Sequence, residues 1–315
     1  MSLLSNIISN IVYKIIALFN FFGYNNIMLN LIVAPKKHDA KAESFAKRIV
    51  KYLKTEKVEY SVYFSLSLED ITTNVNELTM LGESEFVVIG NDIILNQFIN
   101  SFKDLNKIKL GIVPTSGKDD FARYLGLETS PVLAIKQILK KKVQEVDFLL
   151  VNDQKVLNNV IIGASVEAYE QYSQYGWQSF ITEVFAEIKT KNKFTGIELT
   201  MQSKNSKARK ENIYELFIAN GGYSRAKHIS PLSNVRDGLF NLVYTPFNDK
   251  KSSIKALKGY EDGEHIYNEN VKQFWLDNIK ITNADNKIKA LIDGRVCNFE
   301  KLEISVIENG LKLYK

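Results

Sequence analysis

Four short, mainly apolar runs in the first half of the chain alternate with segments of helical spacing, and this alternation restricts the fold most strongly. The apolar runs are residues 28–35, 58–64, 86–90 and 109–114. The segments of helical spacing are residues 40–54, 68–81, 94–102, 119–125 and 131–140. Buried strands that alternate with helices are typical of a parallel sheet covered on both faces. The sequence therefore predicts an α/β domain over residues 27–143, with its ligand site at the carboxyl ends of the strands.

The sequence pattern changes after about residue 143, where short β-rich runs follow one another between polar turns. These runs are residues 145–151, 156–162, 197–202, 213–220, 239–245, 278–283, 289–292 and 302–306. Such a series predicts an antiparallel sandwich or half-barrel over residues 144–315, interrupted by a helix at about 171–191. We leave open whether the last strand returns to the first domain.

Residues 1–22 place apolar side chains on one broad arc of a helix and serine and asparagine on the other. A membrane-spanning helix would be apolar all round, and a signal peptide would carry a basic start and a small-residue cleavage site. We therefore predict an amphipathic helix over residues 1–24. It either lies in the plane of a membrane interface or packs on protein, including a partner subunit, so an oligomer stays open.

The net charge and the few cysteine and histidine residues argue against several classes of function. The formal net charge is only +5, which argues against a nucleic-acid-binding protein. The single cysteine, Cys297, excludes an internal disulfide and a cysteine-based zinc cluster, and the three histidines lie far apart. We expect a cytoplasmic protein, with peripheral contact at the inner membrane face if residues 1–22 bind lipid.

Three segments at predicted strand ends, residues 88–97, 111–123 and 291–295, carry the residues suited to chemistry. Asp120-Phe121-Ala122-Arg123 is followed by Leu125-Gly126, and Asn220-Gly221-Gly222 and Asp237-Gly238-Leu239 occur later. In order and spacing, residues 28–310 resemble the diacylglycerol kinase catalytic-domain family, especially the bacterial soluble lipid kinases. The resemblance implies a fold like that of NAD kinases and diacylglycerol kinases, namely a nucleotide-binding parallel-sheet domain followed by a β-sandwich domain that takes the lipid substrate. It also implies ATP and Mg²⁺ as cofactors.

The resemblance assigns the nucleotide to two loops. The family's G-G-D-G-T-x-N-E loop wraps the phosphates of ATP with backbone N–H groups at a helix N-terminus. Ile93 and Ile94 replace a glycine and a threonine there, which puts two β-branched side chains where phosphate should lie. Isoleucine also resists the positive φ that glycine tolerates. Gln97 replaces the glutamate at the end of this first loop. In the second loop, Asp119 replaces an asparagine. The residues carried over as ATP contacts are Gly90, Asn91, Asp92, Ile93, Ile94, Asn96, Ser116, Gly117 and Asp120.

The resemblance also assigns a catalytic base and a metal site. Asp293 takes the place of the general base that removes the proton of the lipid hydroxyl. The family glutamate after this Asp-Gly pair is Arg295, which would lower the pKa of Asp293 or contact phosphate. Asn234, Asp237 and Leu239 correspond to a structural Mg²⁺ site, which suits carboxylate and carbonyl oxygens. The aspartate that precedes Asp237 in the family is Arg236 here.

Each of these residues also has an ordinary structural interpretation. Asp92 after a strand could cap a helix, and Ser67 with Asp70 predicts a helix start near residue 68. Asp293-Gly294 and Asp237-Gly238 are both common hairpin turns. We predict an ATP-dependent lipid kinase that phosphorylates a diacylglycerol-like hydroxyl. The alternatives are a catalytically degenerate, membrane-associated binding protein and, with less support, an NAD kinase.

Overall fold

The computed structural model describes residues 28–173, 193–204, 206–256, 259–285 and 287–315. The predicted helix at 1–24 and most of the one at 171–191 lie outside these residues. Fifteen strands of the described chain belong to one continuous sheet, parallel in its first part and antiparallel in its second. Among the described helices, none is long and apolar enough to cross a membrane.

The first part of the sheet is the predicted parallel sheet, in the order β2-β1-β3-β4. Its strands are β1 (Leu29–Val33), β2 (Tyr60–Phe64), β3 (Glu85–Ile89) and β4 (Lys109–Val113). All residues of β1 and β3 are buried, which explains why these runs are continuously apolar instead of alternating. The helices are α1 (Ala42–Thr55), α2 (Leu68–Met80), α3 (Asp92–Asn100), α4 (Asp120–Tyr124) and α5 (Pro131–Ile138). The predicted α/β class is confirmed.

Side-chain caps decide where two of these helices begin. The Ser67 hydroxyl accepts a hydrogen bond from Asp70 N at 3.2 Å, and α2 starts at residue 68 as predicted. Helix α3 starts two residues earlier than the spacing of its apolar residues predicts. Asn91 caps it, with Oδ1 accepting from Ile94 N at 3.3 Å, so Asp92 is the first helical residue and not the cap.

The second part is the predicted β-sandwich. Its strands are β5 (Val143–Val151), β6 (Gln154–Val156), β7 (Asn159–Gly163), β8 (Ile197–Gln202), β9 (Arg209–Ala219), β10 (Phe240–Pro246), β11 (Lys272–Leu276), β12 (Asn278–Thr282), β13 (Ile288–Ile292), β14 (Arg295–Phe299) and β15 (Lys301–Tyr314). Helices α6 (Ala164–Ser173) and α7 (Lys250–Ala256) and a 3₁₀ turn at Glu264–Tyr267 accompany them.

The long strand β15 joins the two parts. Its first half pairs antiparallel with β12, and it runs beside β5 over most of its length. Its end pairs in parallel with β4, with Lys312 opposite Lys109 and Leu313 opposite Leu110. Separate hydrophobic clusters lie on the two sides of this junction. The first contains Phe86, Phe98 and Phe102, packed edge to face with ring centroids 5.0–5.7 Å apart.

Candidate functional site

A small cleft lies where the N-terminus of α3 and the start of α4 face the β13–β14 hairpin. It encloses about 170 Å³. Of the residues predicted to form the site, it brings together Asn91, Asp92, Ile93, Asp120 and Asp293. The cleft thus contains residues from both predicted loops and from the predicted base.

Asp293 lies in the two-residue turn between β13 and β14. Its φ of 41° and the φ of 85° at Gly294 are both left-handed, as a tight type I′ hairpin requires, so the turn interpretation of this pair holds together with its place in the cleft. Four hydrogen bonds reach the carboxylate: Leu157 N (2.9 Å) and Asn96 Nδ2 (2.9 Å) donate to Oδ2, and Asn158 N (3.0 Å) and Asn159 N (3.1 Å) donate to Oδ1. Burial raises the pKa of Asp293, and these hydrogen bonds oppose the increase.

Asn96 lies behind Asp293 and not on the wall of the cleft. It is 2% exposed, and Nδ2 donates both to Asp293 and to Lys155 O, the latter at 3.1 Å. Asn100, one turn later, also donates to Lys155 O at 2.8 Å. Asn96 was predicted to contact ATP, and in this structure its side chain holds the β13–β14 turn against α3.

Asp92 connects the two predicted nucleotide loops. Its Oδ2 accepts from Asp120 N at 2.7 Å, and its Oδ1 accepts from Phe121 N at 3.3 Å. The side chain therefore caps the N-terminus of α4, where backbone N–H groups lack helical partners. Burial raises the pKa of Asp92 well above its usual range, and the nearby carboxylates of Asp120 and Asp119 add to the increase.

Asp120, in turn, binds a tight turn of the β-rich domain. Its carboxylate accepts from Arg225 N at 2.5 Å and from Ala226 N at 2.8 Å. Both residues are left-handed, with φ of 50° and 63°, and Ser224 and Lys227 exchange hydrogen bonds across the turn. Left-handed backbone is unfavourable for residues other than glycine, so the carboxylate stabilises a strained turn. Burial raises the pKa of Asp120.

Asp119 also lines the cleft, although the sequence analysis gave it no binding role. Its Oδ2 accepts from Thr115 N and Ser116 N, each at 2.9 Å, and burial raises its pKa to about 6. These bonds close the loop that contains Ser116 and Gly117, and neither of those two predicted contacts lines the cleft.

The first predicted loop is shaped by packing. A Cβ on Gly90 would lie 3.0 Å from Ile94 Cβ and 3.1 Å from Ala34 Cβ, so the glycine is needed for close contact within the protein. Ile94 is fully buried in this contact. Ile93, by contrast, projects into the cleft, where its Cγ1 lies 3.5 Å from the position of a Cβ on Gly294.

Gln97 and Arg295 stand at two positions where the family has glutamate, and they contact each other. Arg295 Nη2 donates to Gln97 Oε1 at 3.3 Å. Local sequence patterns do not predict this contact, because the two residues are 198 positions apart along the chain. Further cleft residues to which the sequence analysis assigned no role are Asn158, Asn159, Ser224 and Arg225.

The residues predicted to bind Mg²⁺ lie on another loop. Asp237 and Asn234 are exposed, and Asp237 Oδ1 accepts from Leu239 N at 3.0 Å. The neighbouring Gly238 N donates to Asp147 Oδ2 at 2.9 Å, which ties this turn to β5. Within the described ranges, no three His, Cys, Asp or Glu side chains come together as metal ligands. Because Asp237 supplies a single carboxylate, the residues present do not fit a Mg²⁺ site by themselves, and the metal assignment stays a prediction.

Comparisons with known proteins agree with this architecture. The sequence model of the diacylglycerol kinase catalytic domain matches residues 28–151, and that of the YegS C-terminal NAD kinase beta sandwich-like domain matches residues 160–314. A Staphylococcus carnosus protein named "Putative lipid kinase" is 27% identical over 253 residues, which cover 78% of this chain and 80% of that protein. A Bacillus subtilis protein named "Diacylglycerol kinase" is 23% identical over 269 residues, which cover 80% of this chain and 85% of that protein.

Solved structures show the same fold. A crystal structure of a diacylglycerol kinase from Bacillus anthracis superposes with a TM-score of 0.70 at 16% identity, covering 93% of this chain and 98% of that one. An NAD kinase from Archaeoglobus fulgidus, solved in complex with ATP, gives a TM-score of 0.53 at 14% identity, covering 91% and 94%. The chain therefore combines a diacylglycerol kinase catalytic domain over residues 28–151 with a YegS C-terminal NAD kinase beta sandwich-like domain over residues 160–314.

Proposed function

We propose that this protein is an ATP-dependent lipid kinase that transfers the γ-phosphoryl group to the hydroxyl of a diacylglycerol-like lipid in the cleft. One observation carries the proposal. Asp293 and Asn96, 197 positions apart, are hydrogen-bonded at 2.9 Å beside Asp92. This observation supports the proposal because Asp92 and Asp293 line one cleft at the N-terminus of α3, and helix N-termini bind phosphates in other proteins.

Asp293 is the proposed base. Phosphoryl transfer depends mainly on positioning and electrostatics, and a carboxylate near the attacking hydroxyl removes its proton. A raised pKa suits this task, because it brings the base closer to the operating pH. When bound, Mg²⁺ would neutralise charge on the phosphates of ATP.

To accept the proton of the lipid hydroxyl, Asp293 needs a free lone pair. All four acceptor positions of its carboxylate are occupied by hydrogen bonds in this arrangement. Three of the donors are backbone N–H groups, which cannot turn away without moving the chain. The fourth is the side-chain amide of Asn96. We therefore assign Asn96 as the positioning residue that must release Oδ2 before Asp293 accepts a proton.

The second candidate is a lipid-associated binding protein without kinase activity. The cleft encloses about 170 Å³, whereas sites that enclose small molecules measure roughly 300–1,000 Å³, and Ile93 narrows it. A nucleotide would therefore require Ile93 to move or the cleft to widen. This observation favours the binding protein. Measurements of ATP binding and of phosphoryl transfer distinguish the two candidate functions.

The experiment combines nucleotide binding with phosphoryl transfer. Thermal unfolding is followed with and without millimolar ATP-Mg²⁺, and γ-labelled ATP is then offered with diacylglycerol vesicles or with NAD. The kinase proposal predicts a higher midpoint with ATP-Mg²⁺ and label in the lipid. If neither the higher midpoint nor labelled lipid is observed, the binding protein is favoured. Label in NAD would show that the acceptor is a nucleotide and not a lipid.

A further inference from the structure

A turn of the β-rich domain, residues 223–228, connects helix α4 to the proposed base. Two side chains of α4 hold this turn. Asp120 accepts from Arg225 N and Ala226 N, and Arg123 Nη1 donates to Ala226 O at 2.9 Å. Arg123 itself does not line the cleft, so any effect that it has on the site must pass through the turn.

The guanidinium of Arg123 also covers an aromatic ring of the turn. Its central carbon lies 4.4 Å from the centroid of the Tyr223 ring. His228 stacks on the same ring, with centroids 4.4 Å apart and ring planes inclined by 11°. Because the face of an aromatic ring attracts a cation, Arg123 holds the turn at two points, the carbonyl of Ala226 and the ring of Tyr223.

The main-chain carbonyl of Tyr223 extends this contact into the cleft. It accepts from Asn158 Nδ2 at 2.7 Å and from Asn159 Nδ2 at 2.8 Å. Both asparagines are buried, so withdrawal of the carbonyl would leave buried donors without this partner. The backbone N–H groups of the same two asparagines donate to Asp293 Oδ1. Each asparagine is therefore bound to the turn by its side chain and to Asp293 by its backbone.

These contacts form a closed ring around the cleft. Asp92, on α3, binds the start of α4, and α4 binds the turn. The turn binds residues 158–159, which bind Asp293. Asn96 then joins Asp293 back to α3. Half of the ring belongs to the α/β domain and half to the β-rich domain, so a displacement of the turn moves the donors of the carboxylate.

We propose that Arg123 is a positioning residue for Asp293, whose carboxylate it holds in place through the turn and the two asparagines. The description of Asp293 as a base rests on the proposed function, whereas the linkage to Arg123 does not. A turn released from Arg123 withdraws the Tyr223 carbonyl and weakens the two hydrogen bonds to Asp293 Oδ1. Because hydrogen bonds to a carboxylate favour its charged form, their weakening raises the pKa of Asp293.

The test measures proton binding by Asp293 in the full chain without nucleotide. Protein with ¹³C-labelled aspartate carboxyl groups is titrated by NMR, and the signal of Asp293 is the one that Asp293→Asn lacks. Arg123→Ala should increase the proton affinity of Asp293 at least about threefold, because two of its four hydrogen bonds weaken. Tyr223→Leu removes the ring but keeps the charge of Arg123, and it should increase the affinity too. Tyr223→Phe keeps the ring and should leave the affinity unchanged.

A control distinguishes the loss of position from the loss of charge. The titratable and charged groups that face Asp293 are Asp92, Asp119, Asp120, Tyr169, Arg225 and Arg295. All of these groups stay in place in the variants. Lys118→Ala removes an exposed cation five positions before Arg123, and it should leave the proton affinity of Asp293 nearly unchanged because solvent and salt screen exposed charges.

The outcomes separate this linkage from the kinase activity. Unchanged proton affinity in Arg123→Ala would overturn the proposal, and so would an equal increase in Lys118→Ala, since that would assign the effect to charge. The expected increases without any phosphoryl transfer by the wild type would refute the proposed kinase and leave the linkage. Phosphoryl transfer by the wild type, with unchanged proton affinity in Arg123→Ala and Tyr223→Leu, would refute the linkage and leave the kinase.

Discussion

Replacing Asp119 by asparagine should stabilise the protein at neutral pH and leave it nearly unaffected in acid. Asp119 is 7% exposed and accepts both of its backbone hydrogen bonds through one oxygen, Oδ2. Asparagine can place its carbonyl oxygen at that position and keep the bonds from Thr115 N and Ser116 N. The substitution therefore removes the charge while it preserves the closure of the loop.

The magnitude follows from the pKa of Asp119. Burial raises this pKa from 3.8 to about 6, so the folded state binds a proton more tightly than the unfolded state between those values. The contribution of protonated Asp119 to the free energy of unfolding is therefore fully present below pH 3.8 and is lost as the pH rises through 6. Since a tenfold change in proton affinity is worth about 1.4 kcal/mol, the wild type loses up to about 3 kcal/mol that Asp119→Asn retains.

Urea unfolding at several pH values between 3.5 and 8 measures this effect. The free energy of unfolding of Asp119→Asn minus that of the wild type should increase by up to about 3 kcal/mol across this range, mostly between pH 4 and 7. Asp153→Asn, at an exposed turn between β5 and β6, is the matched control and should show a flat difference. If the difference in free energy of unfolding between Asp119→Asn and the wild type also does not change with pH, then ionising Asp119 costs no free energy in the folded protein. That result would contradict the effect of burial on its pKa.

Three further substitutions test other parts of the site. Asn96→Ala removes a donor that lowers the pKa of Asp293, so the acid limb of the pH–rate profile should move to higher pH. Asn100→Ala removes the bonds to Lys155 O and from Lys155 N and those within α3, but none to Asp293, so it should leave the limb in place; equal shifts in both variants would contradict the role of Asn96. Ile93→Gly should increase the affinity for ATP at least fivefold in calorimetric titration while costing about 1 kcal/mol of helix stability; unchanged affinity would show that Ile93 does not obstruct the nucleotide. Ala226→Gly relieves a left-handed residue with φ of 63° and should raise the free energy of unfolding in urea by up to about 1 kcal/mol, whereas a decrease would mean that the turn is not strained.

Local sequence patterns predicted the parallel sheet and most helices, because burial on both faces leaves a continuous apolar run such as β3. The resemblance to the family, and not local periodicity, implied that Asp92 and Asp293 serve one site, and both residues line the cleft. The start of α3 was wrong by two residues. The apolar spacing begins at Ile94, whereas the helix is set by the Asn91 side chain.

The detailed partners in the site could not be predicted from local patterns. Asp293 is held by the backbone N–H groups of residues 157–159, more than 130 positions away, and any residue type could supply them. The left-handed pair Arg225 and Ala226 also gives no signal, because glycine or asparagine would be expected there. It forms because Asp120, in a distant loop, accepts both N–H groups. Long-range hydrogen bonds therefore determine the part of the site that periodicity does not reveal.

Phosphoryl transfer by the wild type and by Asp293→Asn tests the central claim most directly. Both proteins are incubated with γ-labelled ATP-Mg²⁺ and diacylglycerol vesicles, with Asp153→Asn as control. The account predicts label in the lipid for the wild type and the control, and a rate at least 100-fold lower for Asp293→Asn, since a general base typically contributes 10²–10⁴-fold. Transfer by Asp293→Asn at the rate of the wild type, or no transfer by any of the three proteins, would contradict it.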